Sequence, residues 1–148
     1  MSYRHILFEI DEHGVALITI NRPDKLNALS VSVVSELAGS FERFADDKAI
    51  RAAIVTGAGE KAFVAGADIR ELPEHSAIES RTLALRGQRV FRILETSHKP
   101  SVAAINGFAL GGGLQFEASA LGAAASTEDW REGTHAFLEK RRPALTGK

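Results

Sequence analysis

Ser101-Val-Ala-Ala-Ile-Asn-Gly-Phe-Ala-Leu-Gly-Gly-Gly-Leu-Gln115 is the stretch on which the reading of this chain turns. Val102 to Ile105 is a short apolar run with the length and composition of a buried strand. Asn106 and Gly107 break it, and the pattern predicts that Gly111 to Gly113 open a helix. A strand, a glycine turn and a helix start together bring backbone N–H groups to one point. Those groups have no partners inside the helix, and the helix dipole adds partial positive charge there. Such a corner suits a phosphate, or an oxygen that gains negative charge during a reaction. The glycines serve equally to let a helix pack closely on a strand, and the residues alone leave these uses open. A Walker-type phosphate loop is excluded, because no Lys-Ser or Lys-Thr follows the glycines, and the spacing is wrong for a dinucleotide fingerprint.

Working outward, Lys61-Ala-Phe-Val-Ala-Gly-Ala-Asp-Ile-Arg70 follows another strand-like run, Ala52 to Val55. Its small residues Ala65, Gly66 and Ala67 again leave the backbone open to close approach. Further back, Ala52 to Thr56 is read as a strand, and Val15 to Asn21 and His5 to Ile10 as two more. Asp11-Glu-His-Gly14 between the last two predicts a hairpin turn with Gly14 at positive φ. Arg22-Pro23-Asp24 stops the second strand, Lys25 to Leu29 is a loop, and Ser30 or Ser32 is placed to cap a helix. Val33, Val34, Leu37, Phe41 and Phe44 recur at helical spacing over Val31 to Ala45. Glu79 to Thr96 is a second amphipathic helix with Leu83, Leu85, Val90, Phe91 and Leu94 as its expected buried residues. His98 has no acid or nucleophile beside it and is read as a solvated helix-end histidine. Strands alternating with helices imply an α/β fold.

The whole chain sets bounds. Its 148 residues suit one domain that buries about 68–70% of its unfolded surface. Hydrophobic content of 45% and charged content of 25% are ordinary for a globular chain. A net charge of −1 gives no electrostatic case for nucleic acid. Cysteine is absent, which excludes disulfides and thiol catalysis and fits a reducing compartment. Met1-Ser-Tyr-Arg-His-Ile6 has no apolar h-region, and no apolar run approaches the ~20 residues of a membrane helix. The expected location is cytoplasmic, with neither a membrane nor a nucleic-acid partner and no metal site.

Three segments, taken in order, carry a resemblance. Asn21-Arg-Pro-Asp-Lys-Leu-Asn-Ala-Leu29, Phe63-Val-Ala-Gly-Ala-Asp-Ile69 and Ile105-Asn-Gly-Phe-Ala-Leu-Gly-Gly-Gly113 together resemble the crotonase (enoyl-CoA hydratase/isomerase) family. The resemblance implies a crotonase-like ββα spiral over 1–113, followed over 114–148 by a helical segment similar to the family's extreme C-terminus. It implies an acyl-CoA thioester as substrate, no permanently bound cofactor, and a trimer-based homo-oligomer. The thioester carbonyl would sit in an oxyanion hole made by the N–H groups of Ala67 and Gly112. Lys25, Ala65, Ala67, Asp68, Ile69, Arg70 and Gly112 would lie along the coenzyme A.

The departures bear on activity. Hydratases of the family carry Gly-Gly-Gly-x-Glu, and this chain has Gln115 at that position. Gln hydrogen-bonds a water but does not exchange a proton as a carboxylate does. Glu117 is the nearest carboxylate, but two residues on along a helix it points elsewhere. Ser126-Thr-Glu-Asp129, with the spacing of a capping box, opens a helix through about Lys140. From there to Pro143 the chain resembles the last helix of full-length members, as if a middle part were deleted between Gly113 and Phe116. The family's second glutamate has no counterpart. Lys140 matches a C-terminal lysine that reaches the coenzyme A of a neighbouring subunit, although a surface role is as natural. Three functions stay open: an enoyl-CoA hydratase or isomerase, an inactive acyl-CoA-binding or assembly protein, and a shortened product with no function of its own.

Overall fold

The hairpin predicted at the start of the chain forms. β1 (Ile6–Ile10) pairs antiparallel with β2 (Val15–Ile20), so that Ile6 faces Ile20 and Ile10 faces Ala16. The Asp11 carboxylate closes the turn by accepting from the N–H groups of His13 and Val15 at 2.9 and 2.8 Å, and Gly14 stands at φ 77°. The Val15 N–H, helped by that of His13, holds the Asp11 carboxyl below the usual aspartate value. A computed structural model of the chain describes residues 3–68, 71, 77–111 and 141.

β2 continues into a parallel sheet. It pairs with β3 (Ala52–Gly57), and β3 pairs with β5 (Ser101–Ala104), giving a four-stranded order β1-β2-β3-β5. Side chains alternate along strands. Ala16, Ile18 and Ile20 of β2 and Ala53 and Val55 of β3 therefore fall on one face and are buried. α1 (Val31–Asp46) covers that face with Val33, Val34, Leu37, Phe41 and Phe44, the stripe its spacing predicted. The Ser30 hydroxyl accepts from Val33 N–H at its start, and Glu71 Oε2 accepts from Val31 N–H. At its end Lys99 Nζ donates to the carbonyls of Phe44 and Asp47, each at 2.7 Å. That link ties the chain leading into β5 to α1.

α2 (Ala77–Thr96) packs on α1 through buried Val90, Phe91 and Leu94. Leu85 does not join them and is 41% exposed. It lies about 170° around the helix from the centre of that stripe, because successive residues turn by about 100°. The side chain of Leu83 lies outside the described residues, and His98 is exposed as expected.

β5 corrects the expectation of a strand buried on both faces. It bonds to β3 on one side and forms an edge of the sheet among the described residues, with Val102 56% and Ile105 43% exposed. The turn after it also differs from a direct strand-to-helix corner. Asn106-Gly107 leads into a short strand, β6 (Phe108–Ala109), which pairs in parallel with β4 (Ala62–Val64) as a separate small sheet. Gly111 follows at φ 51°. Of Gly111 to Gly113, expected to open a helix, Gly111 is a turn residue in left-handed backbone, and Gly112, Gly113 and the segment 114–140 lie outside the described residues.

Candidate functional site

The site grows from the segment between β2 and α1. Pro23 opens a 3-10 turn, Pro23–Lys25, and then Leu26 and Asn27 both take left-handed backbone, at φ 51° and 55°. For a side chain such as leucine that region costs roughly 1–2 kcal/mol. Asn27 offsets it. Fully buried, its Oδ1 accepts from Arg22 N–H at 3.0 Å, and its Nδ2 donates to Ala58 O at 2.9 Å and Ala62 O at 2.7 Å. The 22–29 segment is thereby pinned against the turn between β3 and β4.

β4 runs on into Ala65–Asp68, and the pinned segment serves as its neighbour. Ala65 N–H donates to Leu26 O (3.1 Å), Leu29 N–H to Gly66 O (2.8 Å) and Asp68 N–H to Leu29 O (2.9 Å). On the opposite flank Leu110 N–H donates to Val64 O (2.9 Å) and Phe108 N–H to Lys61 O (3.1 Å). Asn106 holds this flank in place, its Nδ2 donating to Gly57 O at 2.7 Å and Gly59 O at 2.6 Å. The direction of the Ala67 N–H follows. The peptide between Gly66 and Ala67 is planar and trans, so its C=O and N–H point opposite ways. Its C=O is aimed at Leu29, so the Ala67 N–H faces the flank on which Leu110 and Gly111 run. Ala67 is exposed, and its N–H has no hydrogen-bond partner among the described residues.

The two glycine segments meet backbone to backbone. A Cβ on Gly66 would stand 3.4 Å from Leu110 O, and one on Gly111 would stand 3.5 Å from the Gly66 Cα. Gly66 itself has φ 105°, which L side chains rarely adopt. A Cβ at either glycine would make only ordinary van der Waals contact, so it is the backbone conformation that calls for glycine at 66, and the Ala67 N–H points across the gap between the two segments.

An open cleft of about 320 Å³ borders this region, lined by Asp24, Lys25, Leu26, Ala28, Ala65, Ala67 and Asp68. It brings together Lys25, Ala65, Ala67 and Asp68, the members of the sequence-derived coenzyme A set that the structure describes. Ile69, Arg70, Gly112, Gln115, Glu117 and Lys140 lie outside the described residues. The Asp68 carboxylate pairs with Arg22 Nη2 at 3.1 Å, while Arg22 Nη1 donates to Ala28 O at 2.8 Å.

Sequence reasoning missed Arg22, Asn27 and Asn106 as organisers of the site. Arg22 and Asn27 fall inside a quoted motif, but their decisive partners are distant in sequence and no local pattern names them. A larger cleft, about 390 Å³, lies between α1 and α2 and contains none of the sequence-derived candidates. Among the described residues no group of His, Cys, Asp or Glu side chains is arranged to hold a metal ion, and no helix is long and apolar enough to cross a membrane.

Known proteins share both the sequence and the fold of this chain. The sequence model of the enoyl-CoA hydratase/isomerase family matches residues 11–120. The short-chain-enoyl-CoA hydratase of Clostridium acetobutylicum is 46% identical over 119 residues, which are 80% of this chain and 45% of that protein. The crotonyl-CoA hydratase of Syntrophomonas wolfei is 44% identical over 115 residues, 78% of this chain and 44% of that protein. Among solved structures, the enoyl-CoA hydratase of Bacillus anthracis superposes with a TM-score of 0.74 at 32% identity, over 81% of this chain and 45% of that one. The enoyl-CoA hydratase of Mycobacterium smegmatis gives 0.75 at 32%, over 78% and 45%. The chain thus spans less than half the length of these relatives.

Proposed function

The chain belongs to the enoyl-CoA hydratase/isomerase family and has its crotonase-like α/β fold, and from that premise we propose that it binds an acyl-CoA thioester in the cleft between residues 24–28 and 65–68. The thioester carbonyl rests on the N–H groups of Ala67 and Gly112. The observation that carries this reading is the N–H of Ala67, an exposed residue: the group is unpartnered among the described residues and aimed by the Gly66–Leu29 hydrogen bond. A donor fixed before the substrate arrives needs no reorganisation when the oxygen gains enolate-like charge, and removing such a donor typically costs about 3–4 kcal/mol of transition-state stabilisation. Lys25, exposed at the rim, supplies positive charge for the coenzyme A phosphates, and Ala65 and Ala67 leave room for its chain to run along the backbone. Ile69 and Arg70 continue that path. No resident cofactor takes part. The protein works in the cytoplasm as a homo-oligomer.

Hydratase or isomerase chemistry also needs a proton carrier. Gln115 stands where the family has a carboxylate, and this residue favours a second reading: an acyl-CoA-binding protein that polarises the thioester without turning it over. Glu117 is the carboxylate that would serve the first reading.

Two measurements decide. Isotope-edited infrared spectroscopy of bound butyryl-CoA, labelled with carbon-13 at the thioester carbon, reports carbonyl polarisation without turnover. A red shift of the bound carbonyl, reduced in Gly112→Pro, is expected, and binding with an unshifted carbonyl overturns the oxyanion reading. The absorbance assay of crotonyl-CoA hydration then separates enzyme from binder. Turnover abolished by Glu117→Gln establishes the enzyme, and a red shift without turnover establishes the binder.

A further inference from the structure

The Ala67 donor has a weak point, and the structure shows what guards it. Among the described residues the peptide that carries this N–H is anchored by one backbone bond, Leu29 N–H to Gly66 O. On its N-terminal side stands Gly66, which has no side chain to limit rotation about its own bonds. That single bond leaves the direction of the donor dependent also on the C-terminal side, at residue 68. There the backbone N–H of Asp68 bonds to Leu29 O, and the carboxylate is gripped by Arg22. The guanidinium is shared between both walls: one nitrogen holds Asp68 Oδ2 at 3.1 Å and the other holds Ala28 O at 2.8 Å, the residue just before Leu29. The two side chains are 15% and 12% exposed, so solvent screens the pair only in part.

We propose that Arg22, through Asp68, is a positioning residue that sets the direction of the Ala67 N–H toward the thioester oxygen. This rests on the oxyanion reading above. Arg22 does not itself line the cleft; it meets the cleft wall from behind, through Asp68 and Ala28. Its action is geometric. A planar fork with donors on separate nitrogens spans the carbonyl of one segment and the carboxylate of the other, whereas an ammonium group keeps the charge but lacks that fixed span.

Arg22→Lys is the informative variant, since it leaves no unpaired buried carboxylate; Arg22→Gln, which keeps a donor and drops the charge, is the second. Free coenzyme A binding is measured by calorimetry, and the carbonyl band of bound carbon-13 butyryl-CoA is recorded on the same samples. In both variants the affinity for free coenzyme A is expected to stay within about threefold of the parent, while more than half of the carbonyl red shift is lost. A red shift of parental size in both variants overturns the positioning role and leaves the oxyanion reading standing. Coenzyme A affinity lost together with the shift also overturns it, because the pair then merely supports the cleft. An unshifted carbonyl in the parent protein brings down both readings.

Discussion

Asn27 holds the proposed site together, and its removal has a calculable cost. Asn27→Ala deletes three side-chain hydrogen bonds, one from Arg22 N–H and two to the carbonyls of Ala58 and Ala62. At about 1 kcal/mol each these sum to about 3 kcal/mol. Alanine must then hold φ 55° without the local bonding that lets asparagine tolerate it, adding about 1 kcal/mol. The expected loss is about 4 kcal/mol, a large share of the 5–15 kcal/mol typical of a folded domain. Urea unfolding followed by circular dichroism reads it as a midpoint lowered by roughly 2 M, for a slope near 2 kcal/mol per molar. Two companions test the partition. Asn27→Gly removes the φ penalty and keeps the lost bonds, so it should unfold later than Asn27→Ala. Asn27→Asp keeps the shape but aims an acceptor at two carbonyl oxygens inside the core, so at neutral pH it should unfold earlier than Asn27→Ala. A loss below about 1 kcal/mol for Asn27→Ala would refute the reasoning, since that is the scale of a single net hydrogen bond.

Other outcomes follow from the same geometry. Gly57→Ala sets a Cβ 2.4 Å from Phe63 O and 2.7 Å from Asn27 Nδ2, and forcing those groups apart should lower the thermal midpoint at least as far as Asn27→Ala does. Lys25→Ala should weaken coenzyme A binding by roughly threefold to tenfold at low salt, and the gap should close as ionic strength rises, checked by calorimetry at two salt concentrations. Asp11 titrates lower in the folded chain than its ordinary value, so its contribution is present above the unfolded pKa and is lost as pH falls through the folded one. Asp11→Asn should therefore remove part of the acid-side slope of stability, measured by unfolding at a series of pH values at and below the ordinary aspartate range.

The parts of the fold legible in the sequence are those whose signal is local. The stripe of Val33, Leu37, Phe41 and Phe44 requires a helix with one buried face, and α1 has it. Asp11 to Gly14 carries its own turn chemistry, and the hairpin forms there. The run Val102 to Ile105 shows the limit. An apolar run says that a strand can be covered on both faces, but what packs on those faces decides: Ser101 and Ala103 lie toward the core, while Val102 on the other face is 56% exposed. β6 escaped for a related reason: a strand of two residues has no period to detect, and it exists because Asn106 fastens the preceding turn to Gly57 and Gly59.

The site divides along the same line. Ala65, Gly66 and Ala67 were legible because small residues mark a backbone that something must approach. What was hidden is the direction in which that backbone points. Direction is a property of peptide planes, fixed by partners, and here the partners are Leu29, Arg22 and Asp68, brought together across 46 positions of sequence in the case of the ion pair. A motif can place small residues in a loop without aiming a single N–H group. The aim comes from the 22–29 segment, whose shape depends in turn on one buried asparagine in left-handed backbone. The two variant series therefore form one chain of cause. Asn27 substitutions should loosen the whole segment, lowering stability and coenzyme A affinity together, whereas Arg22→Lys should leave affinity in place and remove only the carbonyl polarisation. If both series reduced affinity and polarisation in the same proportion, the donor would owe its direction to the fold of the loop as a whole and to no particular contact within it.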